Sequence, residues 1–321
     1  CRQGVAPLSA AYRCEGCGRD YPVRRGIPDF RLHPDPYISI NDELAKIDRL
    51  FAGPPKSFLE LLEAYYVLSP ENPPVLNRHY VSAMSAAVKR GAGMLVRLGS
   101  GASMRGPAAT LLDVGCGTSG LLAASPAYFP RAVGADVALR WLLMGRQRLR
   151  EAGVSVPLIC ANAESLPFES ASFDAVSGDA VLEHVRDPAA MRDETTRVLK
   201  PGGRFLFTTN NRFSMMPEPH LRILGFGLLP RPLMEKVAMR VRRTPYKARL
   251  LSLRELVRLF RGRARIELPS YSEGELGPRH EGIRRAWERA RRYGLVRAVV
   301  WPVAPQYVIS GPFAGESGSS H

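Results

Sequence analysis

The sequence has no run of 18 or more uninterrupted apolar residues, so no membrane-spanning helix is expected. No charged and then apolar leader opens it, so no signal peptide is expected either. The first residue is Cys1 rather than Met, which suggests a cut, processed or incomplete start. Cysteine is scarce and odd in number: Cys1, Cys14, Cys17, Cys116 and Cys160. That pattern argues against a disulfide framework and for a reducing cytoplasm. Acidic residues are also short, 30 Asp and Glu against 45 Lys and Arg, for a net charge of +15. Residues 231–300 alone hold 19 basic against 7 acidic side chains. Such an excess suits an anionic partner: RNA, an anionic lipid surface, or a phosphorylated or carboxylated substrate. A solvated basic face explains it equally well.

What is present begins at residues 110–120, Thr-Leu-Leu-Asp-Val-Gly-Cys-Gly-Thr-Ser-Gly. The apolar run Leu111, Leu112 and Val114 reads as a buried strand, broken at Gly115, Gly117 and Gly120, with a helical pattern after it. Strand, glycine turn and helix form the layout that binds a nucleotide-like ligand at the end of a parallel sheet. The turn is tight and lets a ligand lie against bare backbone. Alone, this motif leaves NAD open as a ligand, and also a glycine turn with no ligand at all.

The hydrophobic content, 45%, is ample for a core. After the glycine turn, strands are expected over 132–136, 156–160, 173–177 and 204–209, with helices over 118–128, 138–151 and 189–199 between them. This alternation predicts an α/β fold, a Rossmann-like and mostly parallel sheet with helices on both faces. A last strand over 306–310 fits an antiparallel partner, and 264–268 is one further strand. Four segments are expected: a small module over 1–33, a helical linker and cap over 34–106, the main domain over 107–311, and a disordered tail over 312–321. Within the main domain, 211–250 and 270–303 read as insertions. In the linker, 44–50 and 57–67 carry helical spacing, and Asn77 can cap a longer helix over 78–98. Residues 280–293 read as a strongly basic helix.

Several polar residues then fall in order along one sheet. Asp113 precedes the first glycine, and Asp136 ends the second strand about 20 residues after the turn, where a carboxylate can accept both ribose hydroxyls. Asn162-Ala163-Glu164 follows the third strand, where it can read an adenine edge, and Asp179 to His184 follows the fourth. Together Leu112-Asp-Val-Gly-Cys-Gly-Thr118, Asp136, Asn162-Ala-Glu-Ser-Leu-Pro-Phe168, Ser172-Phe-Asp-Ala175, Leu182-Glu-His-Val185 and Leu199-Lys-Pro-Gly-Gly203 resemble the class I S-adenosylmethionine-dependent methyltransferases. The resemblance covers residues 108–210, and more loosely extends to 311. It implies that Asp113, Gly115, Cys116 and Gly117 cradle the methionine part of the cofactor, that Asp136 holds the ribose, that Asn162 and Ala163 meet the adenine, and that Asp179 lies near the amino-acid end. The chain departs from the family at Asn162, where Asp is usual. An amide still offers a carbonyl oxygen to the adenine amino group. The NAD reading loses ground, because no substrate domain with an acid/base pair is evident.

Residues 1–33 read differently. Cys14-Glu-Gly-Cys17 is a Cys-x-x-Cys knuckle, and Cys1 stands at a workable spacing for a third ligand of a structural Zn²⁺. His33 is a poorer substitute for the fourth. Tyr12-Arg13-Cys14 through Tyr21-Pro-Val and Gly26-Ile-Pro resembles the small zinc-ribbon proteins that partner eukaryotic tRNA and release-factor methyltransferases, and their bacterial relatives. The resemblance covers about 30 residues and implies a zinc-ribbon-like module, not catalysis.

A sulfonium methyl is already activated, so the enzyme mainly aligns the acceptor. A general base is needed only for a weakly acidic O–H or N–H. His184 is the best-placed candidate and His220 the second, each balanced by a structural reading. Asn210, Asn211, Arg212 and Glu218 leave the sheet rim with the 211–250 insertion, which is expected to build the acceptor pocket. Cys116 and Cys160 read as buried small residues. The first functional expectation is methyl transfer to O, N or C of a small-molecule or lipid-linked acceptor, by a cytoplasmic protein peripheral to a membrane. The second is RNA (tRNA or rRNA) methylation through the basic segment. Aromatic residues are sparse there, Tyr246, Tyr271, Trp287 and Tyr293 among them, which leaves no visible stacking platform. A non-enzymatic scaffold is the third.

Overall fold

The computed structural model describes residues 5–7, 11–16, 18–69, 72–99, 108–261, 263–270, 281–294 and 300–312. The N-terminal part is a four-stranded antiparallel sheet in the order β1–β2–β3–β4. Its strands are β1 (Val5–Pro7), β2 (Ala11–Cys14), β3 (Asp20–Arg24) and β4 (Ile27–Pro28). Cys14 ends β2, buried. Its N–H donates to the Arg19 carbonyl (2.9 Å) and Gly18 N–H donates to the Cys14 carbonyl (2.8 Å), closing a tight loop. Cys1 and Cys17 lie outside the described residues, and among the described residues no group of three or more metal-capable side chains assembles. The expected disordered tail falls almost entirely outside the described residues too, as does much of 270–303.

Beyond β4 the chain joins the main sheet. Asp29 forms a parallel bridge with Cys160, and Phe30 N–H donates to the Cys160 carbonyl (2.7 Å). The partner strand is the sheet's edge, whose free backbone groups are thereby paired. Two helices follow, α1 (Ile40–Leu50) and α2 (Phe58–Val67), each capped by a serine. At Ser57 the box is complete, with the Glu60 side chain returning to the cap backbone.

The single helix expected over 78–98 is two, α3 (Asn77–Ser85) and α4 (Ala87–Leu98). Ser85 Oγ bonds back to the Val81 carbonyl (2.8 Å), a contact that bends helices. The two halves also serve different neighbours. Tyr80 of α3 stacks on Tyr66 of α2, while Gly91 of α4 lies against Leu121. Asn77 is the first helical residue rather than the cap.

The main sheet has seven strands: β5 (Thr110–Val114), β6 (Arg131–Asp136), β7 (Leu158–Cys160), β8 (Phe173–Asp179), β9 (Leu199–Asn210), β10 (Arg265–Glu267) and β11 (Gln306–Pro312). Their order is β10–β11–β9–β8–β5–β6–β7. β5 to β9 pair in parallel, and β11 runs antiparallel to both β9 and β10. This is a Rossmann-like α/β fold, mostly parallel with an antiparallel end. Side chains alternate across it, so Leu112 and Val114 enter one apolar cluster and Leu111 the other. Both faces are covered, as a parallel sheet requires. The remaining helices are α5 (Gly120–Ala124), α6 (Leu139–Glu151), α7 (Pro188–Val198), α8 (Arg231–Arg242), α9 (Leu253–Phe260) and α10 (Glu281–Ala290). No helix among the described residues is long and apolar enough to cross a membrane.

Residues 211–250 carry α8 and a small core of their own, including Leu221, Phe226, Met234 and Tyr246. They fold back over the C-terminal rim of the sheet. Tyr80 O–H donates to the His220 carbonyl, and Arg249 N–H to the Glu183 carbonyl (2.7 Å).

Candidate active site

The site starts where β5 ends. Gly115 and Cys116 both donate to the Ala135 carbonyl (2.8 and 3.1 Å), which ties the turn to β6. Gly115 has φ +67°, and a Cβ on it would lie 2.5 Å from Val181 Cγ2. Gly117 has φ +49°, but a Cβ there would meet nothing within 4 Å. The first glycine is thus demanded by packing, and the second leaves bare backbone facing open space. That space is a cavity of about 440 Å³ at the C-terminal ends of the parallel strands, where ligands bind in open α/β sheets.

Asp136 lines this cavity at the end of β6. Its Oδ2 accepts from Gly117 N–H (2.8 Å) and its Oδ1 from Ala138 N–H (2.7 Å). Burial pushes its pKa up to about 6 against the pull of these two donors. Gly115, Gly117, Asn162 and Ala163 share the same wall. Three residues of the expected cofactor set lie elsewhere. Asp113 is buried and accepts from Ser177 Oγ on β8 (2.8 Å). Burial, with Asp179 and Asp136 nearby, raises its pKa to about 7. Cys116 packs toward Gly134 in the core, and burial raises its thiol. Asp179 accepts from Thr208 Oγ1 (2.5 Å) and Arg90 Nε (3.3 Å). Asn162 lines the cavity, yet its Oδ1 accepts from Leu32 and His33 N–H.

The two candidate histidines come from different segments and meet on the cavity wall, Nε2 to Nε2 at 3.1 Å. His184 sits in the turn after β8 and His220 in the insertion. His220 Nδ1 is 2.5 Å from Glu218 Oε1, which also accepts from Tyr246 O–H (3.2 Å). Burial alone would lower the His220 pKa, but the Glu218 hydrogen bond and charge outweigh it and hold it above the ordinary value. Burial, reinforced by His220, pushes His184 down to about 3. The pair is therefore polarised, with a proton favoured on the nitrogen system beside the carboxylate. Below it, Glu183 is fully buried and accepts from Thr209 Oγ1 (2.9 Å) and Asn210 Nδ2 (2.6 Å).

Much of the remaining wall is aromatic. Tyr65, Tyr66, Tyr80, Trp141 and Tyr246 all line the cavity. Tyr66 and Tyr80 stack at 5.3 Å, and Tyr65 packs on Trp141 at 4.5 Å. Such a wall suits a flat apolar guest. Sequence reasoning placed none of these rings, nor Tyr37, at the site: Tyr37, Tyr65, Tyr66 and Tyr80 lie in the segment read as linker and cap, Tyr246 in the insertion, and Trp141 on the helix after the second strand. The adjacent Tyr65-Tyr66 pair and the Pro34-Asp35-Pro36-Tyr37 turn were the available signals. As for an RNA platform, Tyr246 is buried under Phe226, and Trp287 Nε1 donates to the Pro269 carbonyl (2.8 Å). Tyr271 lies outside the described residues.

Residues 112–207 match a family model described as a methyltransferase domain. The chain is 38% identical over 103 residues to a ubiquinone biosynthesis O-methyltransferase of Idiomarina loihiensis, covering 32% of this chain and 42% of that protein. It is 41% identical over 113 residues to a demethylmenaquinone methyltransferase of Clavibacter sepedonicus (35% and 44%). A ubiquinone/menaquinone biosynthesis C-methyltransferase of Vibrio cholerae is 39% identical over 135 residues (39% and 50%). The chain thus spans half or less of the length of these curated relatives. Among solved structures, geranyl diphosphate C-methyltransferase from Streptomyces coelicolor aligns at 18% identity over 75% of this chain and 83% of that one, with a TM-score of 0.47. The matched stretch, residues 112–207, holds the glycine turn, Asp136, Asn162 and His184, and is similar over that length to the methyltransferase domain model.

Proposed function

We propose that the chain is an S-adenosylmethionine-dependent methyltransferase acting on the hydroxyl of a small, apolar, ring-bearing acceptor, free or lipid-linked. The observation that carries this reading is the Glu218–His220–His184 chain facing the same cavity as the glycine turn and Asp136. The residues present fit the cofactor. Gly117 offers bare backbone to the cavity, and Asp136 keeps one lone pair on each oxygen for ribose hydroxyls. When bound, S-adenosylmethionine supplies a sulfonium methyl that needs no further activation. The acceptor hydroxyl does need it, and a histidine held basic by a carboxylate is the group that takes its proton. The tyrosine and tryptophan wall orients a flat acceptor and excludes water.

Relatives named for quinone biosynthesis, including an O-methyltransferase, support a phenolic or quinol-like acceptor. Met215, Met216, Leu224 and Leu228 are exposed in the insertion that carries Glu218 and His220. With the basic segment that follows them in the chain, they support a peripheral contact with anionic lipid that delivers a lipid-linked acceptor. For the N-terminal sheet we propose a structural Zn²⁺ held by Cys1, Cys14 and Cys17, supported by the tight loop at Cys14. The direct test is transfer of labelled methyl to prenylated and unprenylated phenols. Cofactor binding by calorimetry without transfer to any hydroxyl would sink the acceptor assignment, and absence of cofactor binding would sink the function.

A further inference from the structure

Asn162 stands where the methyltransferase resemblance expects Asp. Its Oδ1 accepts from the N–H of Leu32 (2.8 Å) and His33 (3.1 Å), and its Nδ2 donates to the His33 carbonyl (3.1 Å). Both Oδ1 lone pairs are taken up by one short piece of backbone. An aspartate cannot make the third bond, and would set a carboxylate against a carbonyl. The amide is thus matched to the segment 29–37. Arg31 fixes the same segment, donating to Asp29 (2.8 Å), to Glu43 (2.6 Å) and to the Val137 carbonyl (3.0 Å). These anchors deliver Tyr37 to the cavity wall, with its hydroxyl 3.4 Å from His184 Nδ1.

We propose that residues 29–37 are a working wall of the active site, in which Asn162 positions Tyr37 and the Tyr37 hydroxyl is the outer end of a proton path through His184 and His220 to Glu218. This rests on the hydroxyl-methylating function proposed above. Both His220 nitrogens are occupied, Nδ1 by Glu218 and Nε2 by His184 Nε2. A proton from the acceptor therefore reaches His220 through His184, whose remaining nitrogen, Nδ1, faces Tyr37. We assign the tautomers that satisfy every contact at once. His220 Nδ1–H donates to Glu218, His184 Nε2–H donates to His220, and Tyr37 O–H donates to His184 Nδ1. All three bonds point the same way. As the acceptor O–H proton passes to the Tyr37 oxygen, the Tyr37 proton moves to His184 Nδ1 and the His184 Nε2 proton to His220 Nε2. Tyr37 and His184 end neutral, and the gained proton rests on a His220 imidazolium beside the Glu218 carboxylate. The other titratable groups facing this path are Asp35, Glu183, Tyr80, Tyr246 and His79.

The test uses the full chain with Tyr37→Phe, Asn162→Asp and both together. In ¹⁵N-labelled protein, Tyr37→Phe is expected to move the His184 Nδ1 resonance toward that of a free imidazole nitrogen. An unmoved resonance overturns the proposal whether or not an acceptor is found. With a phenolic acceptor, Tyr37→Phe is expected to lower kcat about 100-fold with KM within about threefold. The loss is expected to shrink to less than about fivefold on a phenol already ionised at the assay pH, since no proton then needs removing. Asn162→Asp is expected to show the same pattern with faster amide exchange over residues 30–37, and the double variant to be no slower than Tyr37→Phe. Equal losses on ionised and neutral phenols, or additive losses in the double variant, overturn the proposal. If the unaltered chain binds the cofactor and methylates no hydroxyl, the functional reading fails, and the ¹⁵N resonance alone then decides the Tyr37 contact.

Discussion

A histidine becomes a useful base at neutral pH only if something opposes the effect of burial. At His220 that opposition comes from Glu218, 2.5 Å from Nδ1. In the proposed reaction His220 acts as a base only when unprotonated. Its raised pKa therefore places the acid limb of the kcat/KM profile above the ordinary histidine value of 6.5, with activity growing as pH rises through it. Glu218→Gln removes the charge and leaves burial in control. The limb is expected to move down, with a fall of about tenfold or more in the pH-independent rate. A pH–rate profile of the two proteins checks this, and an unmoved limb would assign the titration to another group. Both histidines and Glu218 are visible in the sequence as candidates. Their union is not, because 36 residues separate His184 from His220 and no local pattern closes that gap.

At the scale of elements, alternation predicted the sheet well, because strands buried on both faces leave a strong apolar signal. The antiparallel last strand was legible as well, and runs over Gln306–Pro312 beside β9. Helix ends were less legible. The break between α3 and α4 at Ala86 follows from tertiary demands on either side together with the Ser85 back-bond, with no Pro or Gly to mark it. One such demand is the contact of α4 with α5, the helix that continues from the glycine turn. A Cβ on Gly91 would lie 2.4 Å from Leu121 Cα, a backbone atom that cannot step aside alone. Gly91→Ala should raise helix propensity by about 1 kcal/mol, yet the overpacking is expected to leave a net destabilisation of about 1–3 kcal/mol. Urea unfolding measures the loss. Cofactor affinity should fall with it, because α5 displaced from α4 carries the glycine turn along.

Across the whole molecule, the N-terminal segment, α1 and α6 are locked by one buried ion network. Arg140 reaches Asp35 (2.7 Å) and Glu43 (2.9 Å), and Arg31 reaches Glu43 and Asp29, all with side chains 6% exposed or less. Breaking a buried pair leaves an uncompensated charge, which costs more than the pair itself contributes. Arg140→Met is expected to destabilise by about 3–5 kcal/mol, and Arg24→Met, at the half-exposed end of the same network, by less than about 1 kcal/mol. Denaturant midpoints of the two variants test the contrast, and equal losses would mean the network is not acting through burial. Asp35 and Arg140 also line the cavity, so the stronger variant should weaken ligand binding as well. The alternating α/β layers, the glycine turn, Asp136 and the methyltransferase resemblance are legible from residue order alone, because each is written in local spacing along a buried strand or its end. The hold of Asn162 on the segment 29–37, the meeting of His184 with His220, and the cavity wall of rings from α2, α3 and α6 come from the folded chain. Those groups are far apart in the chain, and nothing short of the folded sheet edge and the returning insertion brings them within hydrogen-bond reach.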